Sequence, residues 1–471
     1  MDLPNFQRDL VSEAVLQANP WVEGQENEKR MRANATHETI TDIHIYKFLM
    51  DWEKKSNLGL WTKDFNLENY RDGWEKEVQA WMPRLGLPGL DMTWFWVECL
   101  RVWKAQNREI SCATQLQEQV RQIRLLPQPG QRTPEWYAMR EAMITASDWA
   151  TCLGMDPYKT MKEFLAKKSG SAVPFTGNAT TEWGVKYEPV ANMIYEHRAN
   201  EEIVEFGLIP HPLYSFIGAS PDGITANGRM VEIKCPPSRA IKGVIPRYYW
   251  AQVQGQLEIC DLERCDFLEC KLVEFSPANK QEWDVIQYPS KPFSMNPYTC
   301  STTQGWEFGT LPESSNGYME KGAVISFSVP GEEKLRYEYT KVNPTLEEVE
   351  EWRREREMSH PEWTVVQFAY WVLTQVSCIP IFRDRVWFNT VALPKLACAW
   401  NGVRYWRAKA ESLEEVGPLV IPDTINLKQM NLDMTCETSL PDPVKRSRTT
   451  KPKAAPQATV QSSCYSLDDF D

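Results

Sequence analysis

Histidine is scarce: five in 471 residues. A zinc centre built on imidazole ligands is therefore not expected. The 12 cysteines include no Cys-x-x-Cys pair. They read as reduced thiols of an intracellular protein rather than as a disulfide framework. No run of eighteen apolar residues occurs, and the longest candidate, Phe368 to Phe382, is broken by Gln, Ser and Pro. No membrane span is expected. The opening MDLPNFQRDL carries charges and has no apolar h-region, which argues against a secretory signal. Positive charge is also short: 52 Lys and Arg against 64 Asp and Glu leave a net charge of −12. Any contact with nucleic acid must then come from a local basic groove, with metal ions supplying part of the missing charge.

Apolar residues are not short. A hydrophobic content of 42% over 471 residues supports two or three domains with real cores. Residues 1–125 carry apolar positions at helical spacing and read as a helical, Trp-rich region. Trp52, Trp61, Trp74, Trp81, Trp94, Trp96 and Trp103 stud it. Such residues can stack on single-stranded bases, but packing in a core is their ordinary use. LLPQPGQRTP, near 125–134, reads as a linker. Residues 126–289 form the α/β part, 290–439 an α+β extension of unassigned role, and 440–471 a Pro-, Ser-, Thr- and Lys-rich tail expected to be disordered. KRSRTTKPK, 445–453, fits a nuclear import signal or a DNA-contact patch.

The chemistry concentrates in GASPDGITANGRMVEIKC, Gly218 to Cys235. MVEIKC reads as a strand, so Glu232 and Lys234 share one face while Val231 and Ile233 take the other. Asn227-Gly228 is a hairpin-turn dipeptide that folds Asp222 back beside that strand. Two carboxylates then come within reach of one cation. Magnesium takes one or two carboxylates, waters and substrate phosphate, and an adjacent ammonium can stabilise charge built up in phosphodiester cleavage. The pattern fits a metal-dependent nuclease centre.

Flanking segments add candidates. Thr133-Pro134-Glu135 reads as a helix start, and the helix carries Trp136 and Arg140. Thr145 or Ser147 caps the next helix, so Arg140 and Ser147 could form a phosphate pocket. Lys159, Lys162, Lys167 and Lys168 lie about a helix opened by a Thr160–Glu163 capping box. They make a candidate DNA-backbone track, against the ordinary reading of a solvated face. The helix near 181–197 carries Glu188, a third carboxylate if that helix borders the cleft. Gln252 and Gln256 share a face of the helix at 246–262. Cys260, Cys265 and Cys270 recur every five residues, which matches no standard iron–sulfur ligand spacing.

In order along the chain, Trp136, Arg140 and Ile144 to Ser147, then Trp183 to Glu188, Ser220 to Gly223, Val231 to Pro236 and Tyr248 to Gln254 resemble the lambda-exonuclease or YqaJ-type viral recombinase family. That family belongs to the restriction-endonuclease-like nucleases with the PD-(D/E)xK signature. The resemblance covers about 132–285. It implies a restriction-endonuclease-like core with a mixed central sheet flanked by helices, here joined to the helical N-terminal region and the C-terminal α+β extension.

The resemblance further implies Mg²⁺, with Mn²⁺ able to substitute, held by Asp222, Glu232, the Ile233 carbonyl and Glu188. By the same likeness Lys234 activates the attacking water, Gln252 lies at the active centre, and Arg140 with Ser147 receives a 5′-phosphate. The implied activity is 5′→3′ digestion of double-stranded DNA ends, leaving 3′ single strands for an annealing protein in recombination. A homo-oligomer is implied as well. Two other readings are a structure-specific endonuclease on the same fold and a non-catalytic factor that binds DNA ends.

Overall fold

The computed structural model describes residues 42–62, 65–85, 91–111, 113–170, 177–242, 244–286 and 320–413. The basic cluster at 445–453 and the rest of the expected tail lie outside them. Among the described residues the first three α-helices, α1 (Asp42–Ser56), α2 (Arg71–Leu85) and α3 (Met92–Ser111), are built around aromatic residues. Phe48, Trp52, Trp74, Phe95, Trp96 and Trp103 are buried in one cluster, with Trp74 meeting Trp96 edge-on at 4.9 Å. These tryptophans make a core. Helix α4 (Ala113–Leu125) then turns Leu116, Val120 and Ile123, at i, i+4 and i+7, into the main core of the chain.

Next come α5 (Pro134–Glu141), β1 (Ile144–Thr145), α6 (Ala146–Cys152), α7 (Met161–Lys168) and α8 (Ala179–Ala199). Thr133 caps α5 with Pro134 at its first position, Thr145 caps α6, and Thr160 with Glu163 opens α7. The strands β2 (Ile203–Val204), β3 (Ile209–Pro210), β4 (Ile217–Ala219), β5 (Gly223–Thr225) and β6 (Met230–Lys234) are short. Helix α9 (Arg247–Cys260) leads to the long β7 (Arg264–Phe275). Beyond α10 (Lys280–Asp284) lie β8 (Lys321–Ser328), β9 (Arg336–Tyr339), α11 (Leu346–Ser359), β10 (Thr364–Phe382) and α12 (Leu393–Leu413).

The fold is mixed α/β. A seven-stranded sheet runs β2-β5-β6-β7-β10-β8-β9, and β1-β4-β3 forms a smaller one. Within the large sheet β6 and β7 are the parallel pair, and α9 supplies the crossover that parallel neighbours need. The sheet does not stop at the boundary expected near 290. β10 pairs with β7 from Arg264 to Phe275 and with β8 on its other edge. A strand of twelve residues would otherwise present an open edge of unpaired backbone. The apolar run Phe368 to Phe382 is the middle of this sheet, and a strand covered on both faces reads as continuous apolar sequence. Among the described residues no helix is long and apolar enough to cross a membrane. Cys265 and Cys270 fall in separate core clusters, since residues five apart on a strand point to opposite faces.

Candidate active site

Gly228, at φ +82°, closes the β5–β6 hairpin, where a side chain would be strained. Thr225 N donates to Arg229 O at 2.8 Å across that turn. Asp222 lies just before β5. Its Oδ2 accepts from the Ile233 N–H at 2.8 Å, which clips the acid to the middle of β6. Val231 and Ile233 pack with Tyr187, Val190 and Ile194 of α8. Glu232 and Lys234 take the other face, under α9.

Glu232 is 1% exposed. Gln252 Nε2 donates to its Oε1 at 2.6 Å and Gln256 Nε2 to its Oε2 at 2.7 Å. The Lys234 ammonium also donates to Oε1 and lies 5.0 Å from the centroid of the Tyr249 ring. A carboxylate this deep is tolerated because both oxygens are bonded. Close approach of α9 is needed for that. A Cβ on Gly255 would come 2.9 Å from the Trp149 indole of α6.

Glu188, on α8, accepts from the Arg132 guanidinium at 3.1 Å. Burial, reinforced by the charges of Glu232 and Glu188, holds the Asp222 carboxyl well above the ordinary carboxylate value. Burial likewise raises Glu188, against the pull of Arg132 and Lys234. For Lys234, burial alone would lower the ammonium, but Glu232 and Asp222 outweigh it and raise it. Acids that repel one another in a buried place are what a cation would neutralise. The donors are hard oxygens suited to magnesium-type ions. Among the described residues no three His, Cys, Asp or Glu side chains could hold an ion by themselves. Magnesium needs fewer, because water and substrate phosphate complete its shell.

The second cluster adjoins this hairpin. Arg140 donates to Ser147 Oγ at 2.9 Å and its guanidinium stacks 4.4 Å from the Trp136 ring centroid. Trp136 Nε1 donates to Ser220 Oγ at 2.9 Å. Beneath it, the buried Lys168 bonds Asp148 Oδ2 at 3.0 Å and the carbonyls of Arg140 and Met143 at 2.7 and 2.6 Å. Lys168 is therefore not part of an exposed DNA-backbone track: α7 buries it to hold the last turn of α5, which carries Arg140, and the residues just after it.

Nor is the stretch near 125–134 a loose connector. Gln128 Oε1 accepts from Gly207 N at 2.7 Å, and Gln131 Nε2 donates to Phe206 O and Pro221 O at 3.1 and 3.3 Å. Sequence reasoning missed Arg132, Tyr249, Asp148 and the Trp136–Ser220 bond. Glutamine in a Pro- and Gly-rich stretch was the available signal that this segment has buried carbonyls to satisfy.

Residues 135–263 match the family model of the YqaJ-like viral recombinase domain. Over this segment the chain is similar to that family. The chain is 30% identical over 329 residues to an uncharacterized protein of Acanthamoeba polyphaga mimivirus, covering 62% of this chain and 56% of that protein. Against a protein of African swine fever virus (strain Badajoz 1971 Vero-adapted) it is 26% identical, over 43% of this chain and 73% of the relative. Among solved structures, an alkaline exonuclease (LHK-Exo) from Laribacter hongkongensis aligns at 20% identity and a TM-score of 0.33, over 60% of this chain and all of that one. A phage-related exonuclease from Haemophilus somnus 129PT aligns at 13% identity and a TM-score of 0.30, over 58% and 96%. The matched segment contains Arg140, Ser147, Glu188, Asp222, Glu232, Ile233, Lys234 and Gln252. The flanking β10 and α1–α4 lie outside it.

Proposed function

We propose that the protein is a Mg²⁺-dependent 5′→3′ double-strand DNA exonuclease that leaves 3′ single strands for viral recombination. One observation carries this reading. Glu232 is buried with both oxygens bonded, Lys234 rests on it, and Asp222 is clipped beside it by the Ile233 N–H. Asp222, Glu232 and the Ile233 carbonyl would hold the ion, with Glu188 nearby. When bound, a divalent cation supplies Lewis-acid charge and makes water a better nucleophile.

Lys234 orients the attacking water and offsets negative charge on the phosphate as it is attacked. Gln252 and Gln256 hold Glu232 in one rotamer. Arg140 and Ser147 receive a terminal 5′-phosphate, Arg140 by charge-assisted hydrogen bonds. That pocket would fix the end from which digestion begins.

The test is digestion of end-labelled linear duplexes with Mg²⁺, with product lengths followed over time. Stepwise loss from the 5′ end is expected, and Glu232→Gln or Lys234→Ala should slow it by at least about a hundredfold. Full cleavage by both variants would overturn the chemistry. Cutting of closed circular duplex would overturn the exonuclease reading in favour of an endonuclease, and a wild type that binds ends but never cuts would leave a binding factor.

A further inference from the structure

Three tyrosines lead away from Lys234. The first, Tyr249, lies under the Lys234 ammonium at 5.0 Å. Its ring centroid is 4.4 Å from that of Tyr248, and Tyr248 meets Tyr158 edge-on at 5.8 Å. The rings come from two elements far apart in the chain, the first turn of α9 and the loop between α6 and α7. Tyr249 and Tyr248 are half-buried, whereas Tyr158 is 74% exposed. Tyr158 thus presents its ring to solvent at the outer end of this row.

The loop holding Tyr158 is ordered by its own chemistry. Asp156 Oδ1 accepts from the backbone of Tyr158 and Lys159 at 2.8 and 3.2 Å, and Oδ2 accepts from Thr151 Oγ1 at 2.8 Å. The neighbouring acid Glu163 is engaged by the Thr160 backbone at 2.7 Å. Cations line the same route. Lys159 and Arg247 are exposed and adjoin Tyr158 and Tyr248 in the chain. Arg239 lies 6.0 Å from the Tyr249 ring and is itself held by Glu269. In a chain of net charge −12, three cations thus accompany the row of rings, Arg239 in space and Lys159 and Arg247 as chain neighbours.

We propose that Tyr158, Tyr248 and Tyr249, flanked by Lys159, Arg239 and Arg247, form a track on which the bases of an unpaired DNA strand stack next to the point of cleavage. The proposal rests on the reading that Glu232 and Lys234 mark that point. Rings accept any base on their faces and the cations follow the backbone, so the track is indifferent to sequence. Tyr158 is the outermost step and takes a base directly. Tyr248 and Tyr249 behind it fix its direction toward Lys234.

The experiment uses the full chain carrying Glu232→Gln, in EDTA, with a single-stranded oligonucleotide containing 2-aminopurine. Stacking should quench the probe on binding. Adding Tyr158→Ala should weaken binding about tenfold and abolish the quench, the size expected for loss of one base–aromatic stack. Tyr158→Phe and Tyr158→Trp should restore both. Unchanged binding and quench in Tyr158→Ala would overturn the track, as would failure of the Glu232→Gln protein to bind the oligonucleotide at all. An exposed side chain can be removed without unfolding, so equal melting temperatures are expected. The two readings separate cleanly: a wild type that never cuts, with binding still lost in Tyr158→Ala, sinks the nuclease and leaves the track.

Discussion

The indole N–H of Trp136 donates to the Ser220 hydroxyl at 2.9 Å, joining residues 84 positions apart. That bond couples the Arg140 pocket to the turn that delivers Asp222. Trp136→Phe keeps a ring for Arg140 to stack on but loses the donor. Cleavage should fall about fivefold, the worth of one hydrogen bond, while preference for a 5′-phosphate survives. Steady-state rates on phosphorylated and hydroxyl-ended duplexes measure both.

Arg140→Ala should erase the difference between those two kinds of end. Arg140→Lys should not restore it, because an ammonium lacks the planar fork that grips phosphate and lies flat on Trp136. An unchanged ratio in Arg140→Ala would remove the pocket from the mechanism.

Asp148 and Lys168 form a buried pair with side chains 8% and 2% exposed. Burial would raise the Asp148 carboxyl, but Lys168, with Lys167 and Arg140, holds it well below the ordinary value. A depressed carboxylate contributes stability that is complete above the usual Asp range and is lost as pH falls. Wild type should therefore lose part of its stability between about pH 5 and pH 2. Asp148→Asn leaves a buried ammonium without its partner and should cost about 3 kcal/mol at pH 7. Denaturant titrations of both proteins across that range would show whether the variant lacks the acid-dependent loss.

Gly255→Ala should destabilise the chain by about 1–3 kcal/mol, because the new methyl group runs into the Trp149 indole. Relief by moving α9 outward would draw Gln252 and Gln256 off Glu232, so cleavage should fall as well. A variant as stable and as active as wild type would show that this helix contact has slack.

Chelation should abolish cleavage, and Mg²⁺ or Mn²⁺ should restore it. In crystals grown with DNA and Mn²⁺, an anomalous peak is expected between Asp222 and Glu232. Its absence with DNA in place would remove the metal from this hairpin.

Short-range chemistry was legible in the amino-acid order. The Thr133–Pro134 start, the Thr160–Glu163 box, the Asn227-Gly228 turn and the alternation through Val231, Glu232, Ile233 and Lys234 all depend on neighbours a few residues away. Those are the distances over which backbone geometry and hydrogen bonding act locally. Asp222, Glu232 and Lys234 could therefore be placed together from sequence, and Gln252 and Gln256 could be placed on one helix face. Their convergence on the two oxygens of Glu232 could not. It needs α9 seated on Trp149, a contact between elements 106 residues apart by number.

The same holds for Lys168, which looked like surface charge until α7 buried it beneath Arg140, and for β10, whose pairing with β7 puts a distant segment in the centre of the sheet. Composition and spacing determined the hairpin and its acids. Packing between segments remote in the chain decided which groups surround them, because burial and long-range pairing belong to the assembled fold rather than to any one stretch.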